Sequence, residues 1–186
     1  MKNKKILIGV SAGISIYKTC LLARLFMKQG AEVRVVMTEN AAKLISPLVF
    51  RSLTRSPVYV SIFDSEESLG HINLAKWADV FVLTPATANT IGKIAQGLAD
   101  NLLTTLILAL PEKTPLLIAP AMNDNMWKNV FVKENAARLK KRKNCYIVGP
   151  ETGVLADGTE GEGRMTEVEE IFRFTKRLFL KNKSKI

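Results

Sequence analysis

Two residue types are nearly missing from this sequence. Its 186 residues include one histidine, His71, and two cysteines, Cys20 and Cys145. With one His there is no Cys/His zinc set, and the cysteines stand at no metal or redox spacing, which marks them as ordinary buried thiols. Long apolar runs are missing too. The longest, such as Leu102–Pro111, are too short and too interrupted to span a bilayer. The start, "MKNKKILIGV", sets basic residues before an apolar run but lacks the long apolar region and small-residue cleavage site of a signal peptide. It reads as the first β-strand of a cytoplasmic protein. No linker, internal repeat or low-complexity stretch divides the chain, so residues 1–186 read as one domain, with a flap at about 150–165.

What is present is a rather apolar globule, 47% hydrophobic with a mean hydropathy of +0.10. The net charge is +10, much of it in "RLKKRKN" (Arg138–Asn144) and the tail "KRLFLKNKSKI" (Lys176–Ile186). Basic helix ends complement the helix macrodipole, and no motif interleaves aromatics with Arg as a nucleic-acid surface would.

Strand and helix patterns alternate. "KKILIGV", "AEVRVVMT", "ADVFVLTP", "TPLLIAP" and "NCYIVGP" read as strands, with "PVYVSIF" as a short one. Most are continuous apolar runs, as a parallel sheet covered on both faces requires. Helices are expected over Ile14–Gln29, about Asn40–Thr54, "NTIGKIAQGLADNLLTTLILAL" with a break near Gly97–Asp100, and "VKENAARLKKR". A last helix follows a Thr166/Glu169 capping-box pattern, with Val168, Ile171, Phe172, Thr175 and Phe179 as its core stripe. The fold class is therefore α/β, a Rossmann-like three-layer sandwich on a parallel sheet.

In such a sheet, ligands bind beyond the carboxyl ends of the strands. Those ends read "GVSAGISIYK", "MTEN", "TPATANT", "APAMNDNMW" and "GPETGVLADGTEGEGRM", all rich in Gly, hydroxyl residues, Asn or Pro. In the first turn, Gly9, Ser11, Gly13 and Ser15 allow backbone N–H groups and hydroxyls to approach an anion, although the turn is neither GxGxxG nor Walker A and equally suits a tight βα turn. Thr38 either reaches the same anion or caps the next helix. Thr84, Thr87, Asn89 and Thr90 exceed what one helix cap needs and suit phosphate or ribityl contacts. Met122, Asn123, Asn125, Met126 and Trp127 combine soft apolar surface with amides, which suits a flat heteroaromatic ring or a carboxylate, or plain packing under a loop.

Together these loops resemble the flavin-dependent cysteine decarboxylase family over about Lys4 to Met165. "GVSAGISIYK" is similar to its flavin-phosphate turn, "PATANT" to its PASANT motif, "PAMNDNMW" to PxMNxxMW, and "HINLAKWAD" to HIxLxxWAD. The resemblance implies a Rossmann-like FMN protein, built as a homotrimer or a dodecamer of trimers with the flavin at a subunit contact. It implies FMN contacts from Gly9, Ser11, Gly13, Ser15, Thr38, Thr84, Ala86, Thr87 and Ala88. It further implies FMN-dependent decarboxylation of a small phosphorylated cysteine conjugate, 4′-phosphopantothenoylcysteine, in coenzyme A biosynthesis. Oxidation of the thiol to a thioaldehyde supplies the electron sink that loss of CO2 needs. His71 would be the base, Asn123 would hold the substrate carboxylate, and Met122, Ala156, Arg164 and Met165 would complete the substrate pocket.

One departure stands out. Where the family carries an Ala-Cys-Gly-Asp type motif before Gly-x-Gly-Arg-Met, this sequence has Ala156-Asp157-Gly158, then Gly161-Glu162-Gly163-Arg164-Met165. Asp157 stands in place of the acid that lets the flavin return its electrons. It serves as that acid only if burial raises its pKa; otherwise the reaction stops at the enethiol. That second outcome belongs to relatives that oxidatively decarboxylate C-terminal peptidyl cysteines, and a non-catalytic FMN-binding regulatory subunit is the further alternative. The sequence stops where bifunctional bacterial members continue into a synthase domain, which leads us to expect a monofunctional chain.

Overall fold

Apolar runs with β-branched residues form the central strands, and amphipathic segments between them return the chain over one face or the other. In the computed structural model, which describes residues 1–64 and 70–181, the order is β1 (Lys5–Val10), α1 (Ile16–Lys28), β2 (Glu32–Met37), α2 (Glu39–Leu44), α3 (Pro47–Thr54), β3 (Val58–Tyr59), α4 (Gly70–Trp77), β4 (Val80–Ala86), α5 (Ala88–Gln96), α6 (Leu102–Leu108), β5 (Leu116–Pro120), α7 (Asp124–Lys128), α8 (Val130–Leu139), β6 (Cys145–Ile147), β7 (Glu151–Val154), β8 (Glu160–Arg164) and α9 (Val168–Lys181). The basic residues at 182–186 lie outside the described residues.

Strands β1 to β6 form one sheet in the order β3-β2-β1-β4-β5-β6, parallel throughout. Alternate strand residues feed two cores. Ile6, Ile8, Val82 and Leu117 pack with Leu22 and Phe26 of α1, Phe50 of α3 and Ile171 of α9. Leu7, Phe81, Leu83 and Ile118 pack on the other face with Leu74 of α4, Ile91 of α5 and Leu103 and Leu106 of α6. Each fully buried Leu, Ile or Phe contributes about 1.5–3 kcal/mol. The expected three layers are therefore present.

Local signals explain several boundaries. Gly97, at φ 75°, ends α5, and a capping box between Asn101 and Thr104 starts α6, so the helical run breaks where its Gly-rich centre predicts. The expected capping box at Thr166 does not form. The helix begins at Val168, and the buried Thr166 hydroxyl donates instead to the Val148 carbonyl at 3.3 Å. Three features were not foreseen, the first being helix α4, which carries His71. The Asn-rich loop after β5 forms the single-turn-and-a-half helix α7, and the Gly-rich flap is an antiparallel hairpin, β7–β8. Among the described residues, no helix is long and apolar enough to cross a membrane.

Candidate functional site

Strand order reverses between β1 and β4, and the loops leaving those strands part above the sheet. The cleft there, about 820 Å³, has the β1–α1 turn (Ala12, Gly13, Ile14, Ser15) and Thr87 on one side and Ala121, Met122, Asn123 and the hairpin on the other.

The first wall is held from below. Ser11 is buried, and its hydroxyl donates to the Pro85 carbonyl at 2.7 Å while accepting the Thr87 amide at 3.0 Å. Its side chain thus ties the β1 turn to the β4 turn. A Cβ on Gly13 would stand 3.4 Å from the Pro85 ring, so the two turns meet closely. Ser15 precedes α1, its hydroxyl caps no backbone N–H, and the first turn of α1 carries no acidic side chain. Thr87 caps α5, its hydroxyl accepting from the Thr90 amide.

The opposite wall is a docked hairpin. The Met122 amide donates to the Gly163 carbonyl at 3.0 Å, and the Glu162 amide to Asp124 Oδ1 at 2.9 Å. A Cβ on Gly163 would collide with the Met122 carbonyl oxygen, which explains a glycine at this position. Trp127 Nε1 donates to Glu162 Oε1 at 2.9 Å, pinning the same strand.

Inside the cleft, Asn123 Oδ1 accepts the Asn125 amide at 2.9 Å, and its Nδ2 donates to Asp157 Oδ2 at 2.8 Å. Asp157 Oδ1 accepts the Thr159 amide at 3.0 Å and the Thr159 hydroxyl at 2.6 Å. Those Thr159 donors, with Asn123, hold the Asp157 carboxyl below its ordinary range. Asp157 is exposed rather than buried, so the condition under which it would carry a proton at neutral pH is not met.

Arg164 lines the cleft and pairs with Glu151 and Glu167, both at 3.3 Å, while its Nε finds no hydrogen-bond partner among the described residues. Lys18, whose side chain is 12% exposed, pairs with Glu167 at 2.9 Å. Lys18 and Glu167 were missed as site residues. The "SIYK" register after the β1 turn, which puts Lys18 in the first turn of α1, was the available signal. Met126 and Leu155 also line the cleft.

Of the expected residues, Gly13, Ser15, Thr87, Met122, Asn123, Ala156, Asp157 and Arg164 line this one cleft. Others do not. Gly9 lies inside β1, where a Cβ would come 2.6 Å from the Phe81 ring, so its smallness serves packing. Thr84 is fully buried and its hydroxyl donates to Met165 Sδ at 3.2 Å; Met165 itself is core. Ala86 is fully buried in β4. Thr38 caps α2, its hydroxyl accepting the Ala41 amide at 3.1 Å, and Ala88 opens α5; neither lines the cleft. His71, in the first turn of α4 and half-buried, is also absent from the cleft of its own chain.

A doubly wound parallel sheet with a cleft at its switch point, walled by a small-residue turn, defines a Rossmann-like ligand-binding protein. The Flavoprotein family model matches residues 1–180, and the chain belongs to that family. It is 41% identical over 186 residues to the coenzyme A biosynthesis bifunctional protein CoaBC of Bacillus subtilis, covering 99% of this chain and 45% of that protein. The chain thus spans about half the length of the curated relatives of this kind. Among solved structures it is similar to a phosphopantothenoylcysteine decarboxylase mutant complexed with pantothenoylaminoethenethiol (TM-score 0.84, 34% identity, 97% of this chain and 100% of that one). It is also similar to the FMN binding protein AtHal3 (TM-score 0.81, 34% identity, 97% of this chain and 98% of that one).

Proposed function

We propose that this chain is an FMN-dependent decarboxylase of a cysteine carboxylate, acting on 4′-phosphopantothenoylcysteine in coenzyme A biosynthesis. The observation that carries the reading is that one cleft brings the small-residue turn at the start of α1 together with the Asn123 amide and the hairpin. The residues present suit FMN. Ala12, Gly13 and Ala121 leave room for a flat ring, and the Ser15 hydroxyl and a helix start without acidic neighbours suit a phosphate. The solved relatives that bind FMN or a pantothenoyl thiol support both ligands.

FMN, when bound, supplies the acceptor for the two electrons of the substrate thiol. The protein's own part is orientation and proton handling. Asn123 Nδ2 donates to the substrate carboxylate; a neutral amide fixes that group without the positive charge that would hold CO2 back. Met122 packs beside the thiol-bearing carbon, and Arg164 faces the phosphate. His71 takes the thiol proton at sulfur as a general base. Asp157 is held as a carboxylate, so the proton that completes 4′-phosphopantetheine, as the two electrons return to the product, comes from water rather than from residue 157.

His71 serves the cleft of a neighbouring copy, and the working unit is a homotrimer or a dodecamer of trimers. Two facts support this. His71 lies outside its own cleft, and Ile14 and Tyr17, which line the cleft, are 71% and 59% exposed, continuing into Leu21 along α1. An apolar stripe of this kind at the mouth of a site suits burial by another subunit.

The test is a titration of the purified chain with FMN, followed by flavin fluorescence. Binding at one FMN per chain, weakened by Gly13→Val, is expected; no binding would end the reading.

A further inference from the structure

Both ends of the Asn123 amide are engaged within the chain. Its Oδ1 accepts the Asn125 amide, and Nδ2 donates to Asp157 Oδ2 at 2.8 Å, both residues 123 and 157 lining the cleft. Asp157 is presented rather than adrift. It sits at the tip of the β7–β8 hairpin, with Gly158 at φ 81° completing the turn and two Thr159 donors fixing Oδ1. The other carboxylate lining the cleft, Glu167, is paired with Lys18 and Arg164, which leaves Asp157 as the carboxylate placed on the amide.

We propose that Asp157 is an internal occupant of the carboxylate subsite: it fills Asn123 Nδ2 while the cleft is free, and a carboxylate-bearing ligand binds by displacing it. This rests on the reading of Asn123 as the substrate's carboxylate donor, and it makes residue 157 a determinant of affinity. Asn123 Nδ2 has two N–H donors, but two carboxylates on one amide nitrogen stand close enough to repel, so the ligand's carboxylate displaces that of Asp157. Departure of Asp157 is easy, because its tip is exposed, water replaces the lost bond, and Thr159 still serves Oδ1. The hairpin need not undock. Its base stays fastened through Gly163 to Met122 and through Glu162 to Asp124.

The experiment is calorimetric titration of the FMN-loaded full chain with two unreactive probes. 4′-Phosphopantothenoylserine keeps the carboxylate and lacks the thiol; 4′-phosphopantothenoylethanolamine lacks both. Asp157→Ala should tighten the serine probe about tenfold, the scale of one charged hydrogen bond, and leave the ethanolamine probe within about twofold. Asp157→Asn, which keeps the shape and removes the charge, should fall between. If Asn123→Ala weakens the serine probe alone but both Asp157 variants bind it no better than the parent chain, the displacement proposal is wrong and the Asn123 assignment stands. If Asn123→Ala does not distinguish the two probes, the Asn123 assignment is wrong and the displacement proposal falls with it.

Discussion

Met122 and Gly163 join the end of the sheet to the hairpin through a single backbone hydrogen bond of 3.0 Å, at a contact too close for any side chain on residue 163. Backbone meets backbone there, and neither can swing aside as a flexible side chain would. Gly163→Ala should therefore undock β8 from the loop after β5. The expected result is faster hydrogen exchange across residues 151–164 and a loss of at least about tenfold in affinity for a carboxylate probe, since the lost wall positions Asn123. Unchanged exchange in the hairpin would refute the docking role.

Gly9 makes a contrasting case. The ring of Phe81 covers it, and a Cβ would stand 2.6 Å from that ring. Gly9→Ala should cost about 1–3 kcal/mol by overpacking, measured by urea unfolding, while FMN affinity of the folded protein stays within about twofold. A cofactor contact would give the reverse, with affinity lost and stability kept.

These two glycines show how far the sequence could be read. Apolar strand runs and the Gly97 break determine their own local structure, so the sheet, its layers and the cleft at strand ends were legible. The separation of Gly9 from Gly13 was not. Both belong to one small-residue string, and only the position of Phe81 on the neighbouring strand assigns Gly9 to packing. The contact between Thr84 and Met165 was hidden for the same reason, since it spans 81 positions of chain. The hairpin hid because its strands, "ETGV" and "EGEGR", lack alternating apolar residues and are held by docking to Met122 and Asp124. The motif around His71 was legible, but its place in α4, outside the cleft of its own chain, was not.

If His71 completes the cleft of another copy, two defective chains should rescue one another. His71→Asn and Asn123→Ala, each inactive alone, are expected to recover part of the turnover when co-expressed and purified together, because some clefts then receive both intact residues. Size-exclusion chromatography with light scattering should report one oligomer for both variants. Absence of any recovery in mixed oligomers would contradict a shared site.

Acid should act late. The carboxyls of Asp100, Asp124 and Asp157 are each held low, first by the Lys93, Lys128 and Thr159 side chains respectively. Their folded pKa values lie below the unfolded value of about 3.9, so the unfolded chain takes up protons first as pH falls. The stability they contribute is present above about pH 4 and is lost as pH drops through the folded values. A melting curve flat from pH 7 to about 5 and falling below about 4 is expected, with a shallower fall in Asp124→Asn. Cys145 works in the other direction. Burial pushes its thiol up to about 11, so its contribution fades only as pH rises towards that value.

The most direct measurement is an anaerobic incubation of the FMN-loaded protein with 4′-phosphopantothenoylcysteine, followed by mass spectrometry. The account predicts loss of CO2 from the substrate, abolished by Asn123→Ala and retained by Asp157→Asn. Substrate recovered intact from protein that has bound FMN would contradict it.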